Sequence, residues 1–105
     1  METKKMSLLT GSYSPKQAQE ILGKTIKSGL QFNRLENFTS LIRYEGNCEQ
    51  ATNNIHQLSR AQEEIDRLLA IAKAQNLYLH LETSLRVSLV EQPVAEQEQV
   101  AYPSL

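Results

Sequence analysis

Few residues in this chain are of types that do chemistry. Cys48 is the single cysteine, His56 and His80 are the two histidines, and Glu63, Glu64 and Asp66 form an acidic cluster. Cys48 falls at the start of a predicted helix, where the helix dipole lowers a thiol pKa. A nucleophilic thiol also needs a base in hydrogen-bond reach, and His56 stands eight residues on, ~12 Å along a helix axis. His80 reaches Cys48 only through the fold. Neither histidine sits in an H-x-x-x-H or C-x-x-C spacing. His80 and Glu82 share one face of a predicted strand, but two ligands make a poor metal site unless a symmetry mate doubles them. Glu63 and Arg67, four apart, predict a surface ion pair on a solvated helix face, not a pair of carboxylates for acid–base work. The chain contains no G-x-x-x-x-G-K-[ST], G-x-G-x-x-G or G-x-S-x-G motif. No catalytic, cofactor-binding or metal residue is therefore assigned, and an enzyme is not expected.

The chain has 105 residues and a formal net charge of −1, room for one small domain. No apolar run approaches the ~18–20 residues that span a bilayer, and the start lacks the apolar stretch of a secretory leader. A lone cysteine precludes an internal disulfide and fits a reducing compartment, so a cytoplasmic location is expected. Charge is uneven: residues 1–47 carry a net +3, residues 48–90 a net −1, and residues 91–105 a net −3. Lys16, Lys24 and Lys27 are compatible with one face of the first helix, which makes weak nucleic-acid binding the alternative function. A phosphate-binding stripe usually needs more basic residues and a basic pI, and the sequence pI is about 6.1.

Four elements must position these groups. Lys5–Tyr13 reads as a strand whose apolar residues fall on both parities, with Gly11 marking a bulge or a close backbone approach. Ser14-Pro15-Lys16-Gln17 is a capping box with proline at the first helical position. Ala18, Ile21, Leu22, Thr25, Ile26 and Leu30 form a stripe on the helix that follows. Phe32, Leu35 and Phe38 extend the spacing, taking the helix to about Asn37. The stretch 37–47 has no assignment. A second helix runs from about Cys48 to Gln75, with Asn47 as cap, Gln50 in the capping-box position and Asn76 as the left-handed stop. Its seam is Ala51, Ile55, Leu58, Gln62, Ile65, Leu69 and Ala72. Leu77, Leu79, Leu81, Leu85, Val87 and Leu89 then alternate with Tyr78, His80, Glu82, Ser84, Arg86 and Ser88, the pattern of a half-buried strand. That strand would reach ~46 Å and the helix ~42 Å, so one could lie under the other.

The expected architecture is α+β, strand–helix–helix–strand, with a helical hairpin packed on a small antiparallel sheet. Residues 1–91 make the domain, and residues 92–105 an acidic, flexible tail without periodicity. Two strands leave two open edges, and residues 77–90 contain neither proline nor lysine to guard one. A second copy of the chain would complete a four-stranded sheet through Leu79, Leu81, Leu85, Val87 and Leu89, so a homo-oligomer is expected. Pairing through the second helix is the competing route, with Gln62 in its seam. Gly11-Ser12-Tyr13-Ser14-Pro15 leading into a helix, and Leu68-Leu69-Ala70-Ile71-Ala72-Lys73 leading into an alternating strand, resemble a family of small bacterial proteins of strand–helix–helix–strand pattern. The resemblance covers roughly residues 8–90 and implies no activity or site residue. The expected function is a non-enzymatic, self-associating interaction or assembly module, without cofactor or membrane partner.

Overall fold

A reciprocal pair of hydrogen bonds starts the first helix. Ser14 Oγ accepts from the Gln17 backbone N–H at 3.2 Å, and Gln17 Oε1 accepts from the Ser14 N–H at 3.1 Å. This is the capping box read from the sequence. In the computed structural model, which describes residues 2–44, 46 and 48–91, the elements are β1 (Thr3–Tyr13), α1 (Pro15–Tyr44), α2 (Glu49–Gln75) and β2 (Leu79–Ser88). The order is the expected α+β one, with two antiparallel strands. Helix α1 runs seven residues past the expected end at Asn37. Helix α2 begins after Cys48, whose side chain makes no capping hydrogen bond. The cap assigned to Asn47 lies outside the described residues, as does the 92–105 tail. Asn76 takes the left-handed conformation at φ 54°, and the Leu77 N–H returns to the Ala72 carbonyl at 2.9 Å, closing the helix as expected.

The chain divides into two compact units, Gly11–Leu81 and the strand ends within Met1–Thr10 and Glu82–Leu105. In the first unit α1 and α2 pack on each other. Ala18, Ile26, Ala51, Leu69 and Ala72 are buried, and Ile55, Leu58, Gln62 and Ile65 are half-buried, so the α2 seam stands as read. Alanines at three of the five buried positions let two helices approach closely but bury little area. Gly29 serves the same approach, because a Cβ there would come within 2.9 Å of Leu58 Cδ1.

Strand β1 contains a bulge that explains its mixed parity. In a regular strand, residues three apart point to opposite faces. Yet the Ser7 and Thr10 hydroxyls lie 3.4 Å apart, so one residue at Leu8–Leu9 is out of step. The pairing agrees: Thr3 bonds Ser88 and Ser12 bonds His80, nine residues along β1 against eight along β2. The bulge therefore precedes Gly11, where the sequence had suggested it. Gly11 instead marks a close approach, since a Cβ there would sit 3.3 Å from the Tyr13 ring.

The apolar face of β2 is covered only at its start. Leu79, Leu81 and Thr83 are half-buried, whereas Leu85, Val87 and Leu89 are exposed. The half-buried pattern expected along the whole strand thus ends at Thr83. Gly23 has open space around its Cα and no positive φ. Gly23→Ala should therefore raise the unfolding free energy by about 0.5–1 kcal/mol through helix propensity. Gly29→Ala should forfeit that gain, because Leu58 must move. Thermal unfolding followed by circular dichroism checks both.

Candidate functional site

The chemistry-bearing side chains do not converge. Cys48 is half-buried before α2 and His80 follows shortly after its far end, so a helix of ~40 Å separates them. His56 is exposed partway along α2, and His80 engages Ser12 Oγ through Nδ1 at 3.4 Å. The acidic cluster is a solvated face, but its ion pair differs from the expected one. Glu64, not Glu63, meets Arg67, Oε2 to Nε at 2.7 Å and three residues apart. That contact holds the Arg67 pKa above its ordinary value, by hydrogen bonding first and by charge second. Asp66 accepts from the Gln62 amide at 2.7 Å. Among the described residues no group of His, Cys, Asp and Glu is placed to hold a metal ion.

A cleft of about 430 Å³ lies between the start of α1 and the end of α2, lined by Pro15, Lys73, Leu77 and Tyr78 among others. No carboxylate, thiol or imidazole lines it. Lys73 Nζ bonds Gln19 Oε1 at 3.3 Å, and the capping box occupies the helix start. Lys16, Lys24 and Lys27 are exposed and fall within about 80° on α1 at ~100° per residue. Glu20 falls in the same sector and dilutes its charge.

The chemically unusual region is the far half of the helical hairpin, where its inner seam is polar. Asn33, which is buried, donates to the Gly29 carbonyl at 2.7 Å and accepts from the Asn54 amide at 3.2 Å. Asn37 accepts from the Cys48 N–H at 2.9 Å and donates to Thr52 Oγ1 at 3.2 Å. Buried Ser40 donates to the Gly46 carbonyl at 2.7 Å. Phe32, Leu35, Phe38, Leu41 and Ile42 are all exposed. The distal half of α1 is thus inverted, polar toward α2 and apolar toward solvent.

Two apolar surfaces result. One is this outer face of α1. The other, in the strand-end unit, comprises Met6, Leu85, Val87 and Leu89, all exposed. Glu2 accepts from the Leu89 N–H at 2.9 Å, a register that sets Met6 opposite Leu85. Of the residues expected to mediate self-association, Leu85, Val87 and Leu89 are on this surface. Leu79 and Leu81 are partly covered within the other unit. Sequence reading took Phe32, Leu35 and Phe38 as continuing a three-residue spacing that extends the helix to about Asn37. Steps of three each lose about 60° on a helix, so these residues swing off the stripe that precedes them, a signal present in the spacing.

No family model, curated protein or solved structure matches this chain. No helix among the described residues is long and apolar enough to cross a membrane. Function has to be argued from these surfaces. Asn37→Ala should cost about 1–3 kcal/mol, the usual consequence of leaving a buried donor unpaired, measured as a shift of the urea midpoint.

Proposed function

We propose that this chain is a non-enzymatic assembly module that joins copies of itself through the free edge of β2. The observation that carries the reading is the exposed apolar stretch Leu85, Val87 and Leu89 on a strand that has one open edge among the described residues. Among the described residues the sheet has two strands, so each strand offers its backbone groups on one side. Lys4 and Lys5 guard β1. On β2, Glu82 and Arg86 lie four residues apart on one face. A second β2 running antiparallel about Ser84 places each glutamate opposite the arginine of the other copy. Leu85 and Val87 then gain cross-strand neighbours, the stabilising unit of a sheet.

Light scattering after gel filtration should give at least a dimer of the 11.9 kDa chain. Leu85→Lys should halve the mass, with the helix signal kept because Leu85 is 44% exposed. Arg86→Glu should weaken assembly, most of all at low salt. A monomeric wild type, or an unchanged mass for Leu85→Lys, overturns the reading.

A second reading, weak nucleic-acid binding, is favoured by the single side on which Lys16, Lys24 and Lys27 stand. Glu20 among them and the whole-chain charge of −1 weigh against it. It requires salt-dependent retention on heparin that is lost when Lys24 and Lys27 are both changed to Glu.

A further inference from the structure

The inverted half of α1 points to a second interface, distinct from the sheet edge. We propose that the outer face of α1, formed by Phe32, Leu35, Phe38 and Ile42, pairs antiparallel with the same face of a second copy. The inference rests on self-association as the proposed function, but on different residues in the other unit of the chain.

Both phenylalanines of the protein are here, Phe32 at 62% and Phe38 at 60% exposure. At ~100° per residue, Phe32, Leu35, Phe38 and Ile42 share one sector of about 120°, roughly opposite Asn33 and Ser40. Apolar residues were therefore available on this segment to cover α2, yet asparagine and serine face it. Contiguous apolar area on a helix otherwise exposed marks an interaction surface. At ~100° per residue Arg34, Glu36 and Arg43 flank the sector about 20–40° beyond its edges, so their charges stand at the rim of the covered area and not at its centre.

A second copy fits the spacing. A two-fold axis between Glu36 and Asn37 sets Leu35 opposite Phe38 and brings Phe32 near Ile42, each contact occurring twice as in an isologous interface. The area argues for a second copy. Taking ~200 Å² per aromatic side chain and somewhat less per leucine or isoleucine, the four residues expose roughly 450 Å². Two copies would cover roughly 900 Å² of apolar surface before Gln31 and Thr39, in the same sector, are counted, close to the level at which specific interfaces begin. With the sheet edge, this gives each chain two separate self-complementary surfaces, so assembly proceeds beyond a dimer.

The test uses Leu35→Lys and Phe38→Glu in sedimentation velocity at micromolar protein, in wild-type and Leu85→Lys backgrounds. Each single variant should reduce the assembly to a dimer while keeping its helix signal. In the Leu85→Lys background each should yield the monomer. An equimolar mixture of Leu35→Lys and Phe38→Glu should restore the lost association. In that heterodimer the lysine faces the glutamate at one contact, and the native pair remains at the other. If Phe38→Glu loses its helix signal, Phe38→Gln is read in its place. Unchanged masses in both backgrounds overturn the interface. Dissociation that mixing fails to restore overturns the antiparallel pairing. A loss at Phe38 without a loss at Leu85 leaves this interface standing and removes the sheet-edge reading, so the two fail separately.

Discussion

Asn37 holds α1 to the start of α2, and the alignment of the hairpin depends on that clamp. Its amide bridges the Cys48 backbone and the Thr52 hydroxyl, eleven and fifteen residues away. One turn further back, Asn33 meets Asn54. Apolar side chains tolerate a slide of one helix along the other, because one methyl group packs much like its neighbour. Half-buried amides do not: a slipped register leaves donors and acceptors unpaired at about 1–3 kcal/mol each. With the far half locked, the near half falls into line. Lys73 meets Gln19, and Ser12 meets His80, where the two strands begin to pair.

That solution has an energetic consequence. A hairpin aligned by amides and closed by alanines buries little apolar surface, and among the described residues no large side chain is fully buried. The apolar side chains that would make up the difference stand outward instead, on the distal half of α1 and on the end of β2. Under the proposed function they form the core between copies that the single chain lacks.

Much of the fold was legible because its signals are local. The Ser14–Gln17 box, the seam of α2, the left-handed Asn76 and the alternation of β2 each rest on residues within a few positions of one another. The end of α1 was not legible: between Asn37 and Tyr44 the side facing α2 is polar, so no apolar stripe announces a helix. The bulge at Leu8–Leu9 showed only as mixed parity, since a strand of either register accounts for its leucines. Arg67 had acidic neighbours at both three and four residues' distance, and spacing alone could not choose Glu64 over Glu63. Cys48 and His80 read as distant from each other in the sequence, and α2 separates them in the structure.

By itself the sequence determined which residues share a face. Period and capping depend on backbone geometry and nearest neighbours, so Phe32 and Leu35 belonged together on a helix, as Leu85, Val87 and Leu89 did on a strand; Ile42 joined the helical pair only when the structure carried α1 to Tyr44. Only the tertiary structure decided which faces are covered. Burial depends on what packs across from a residue, and in the distal half of α1 it is the polar side that meets α2 while the apolar side remains in solvent.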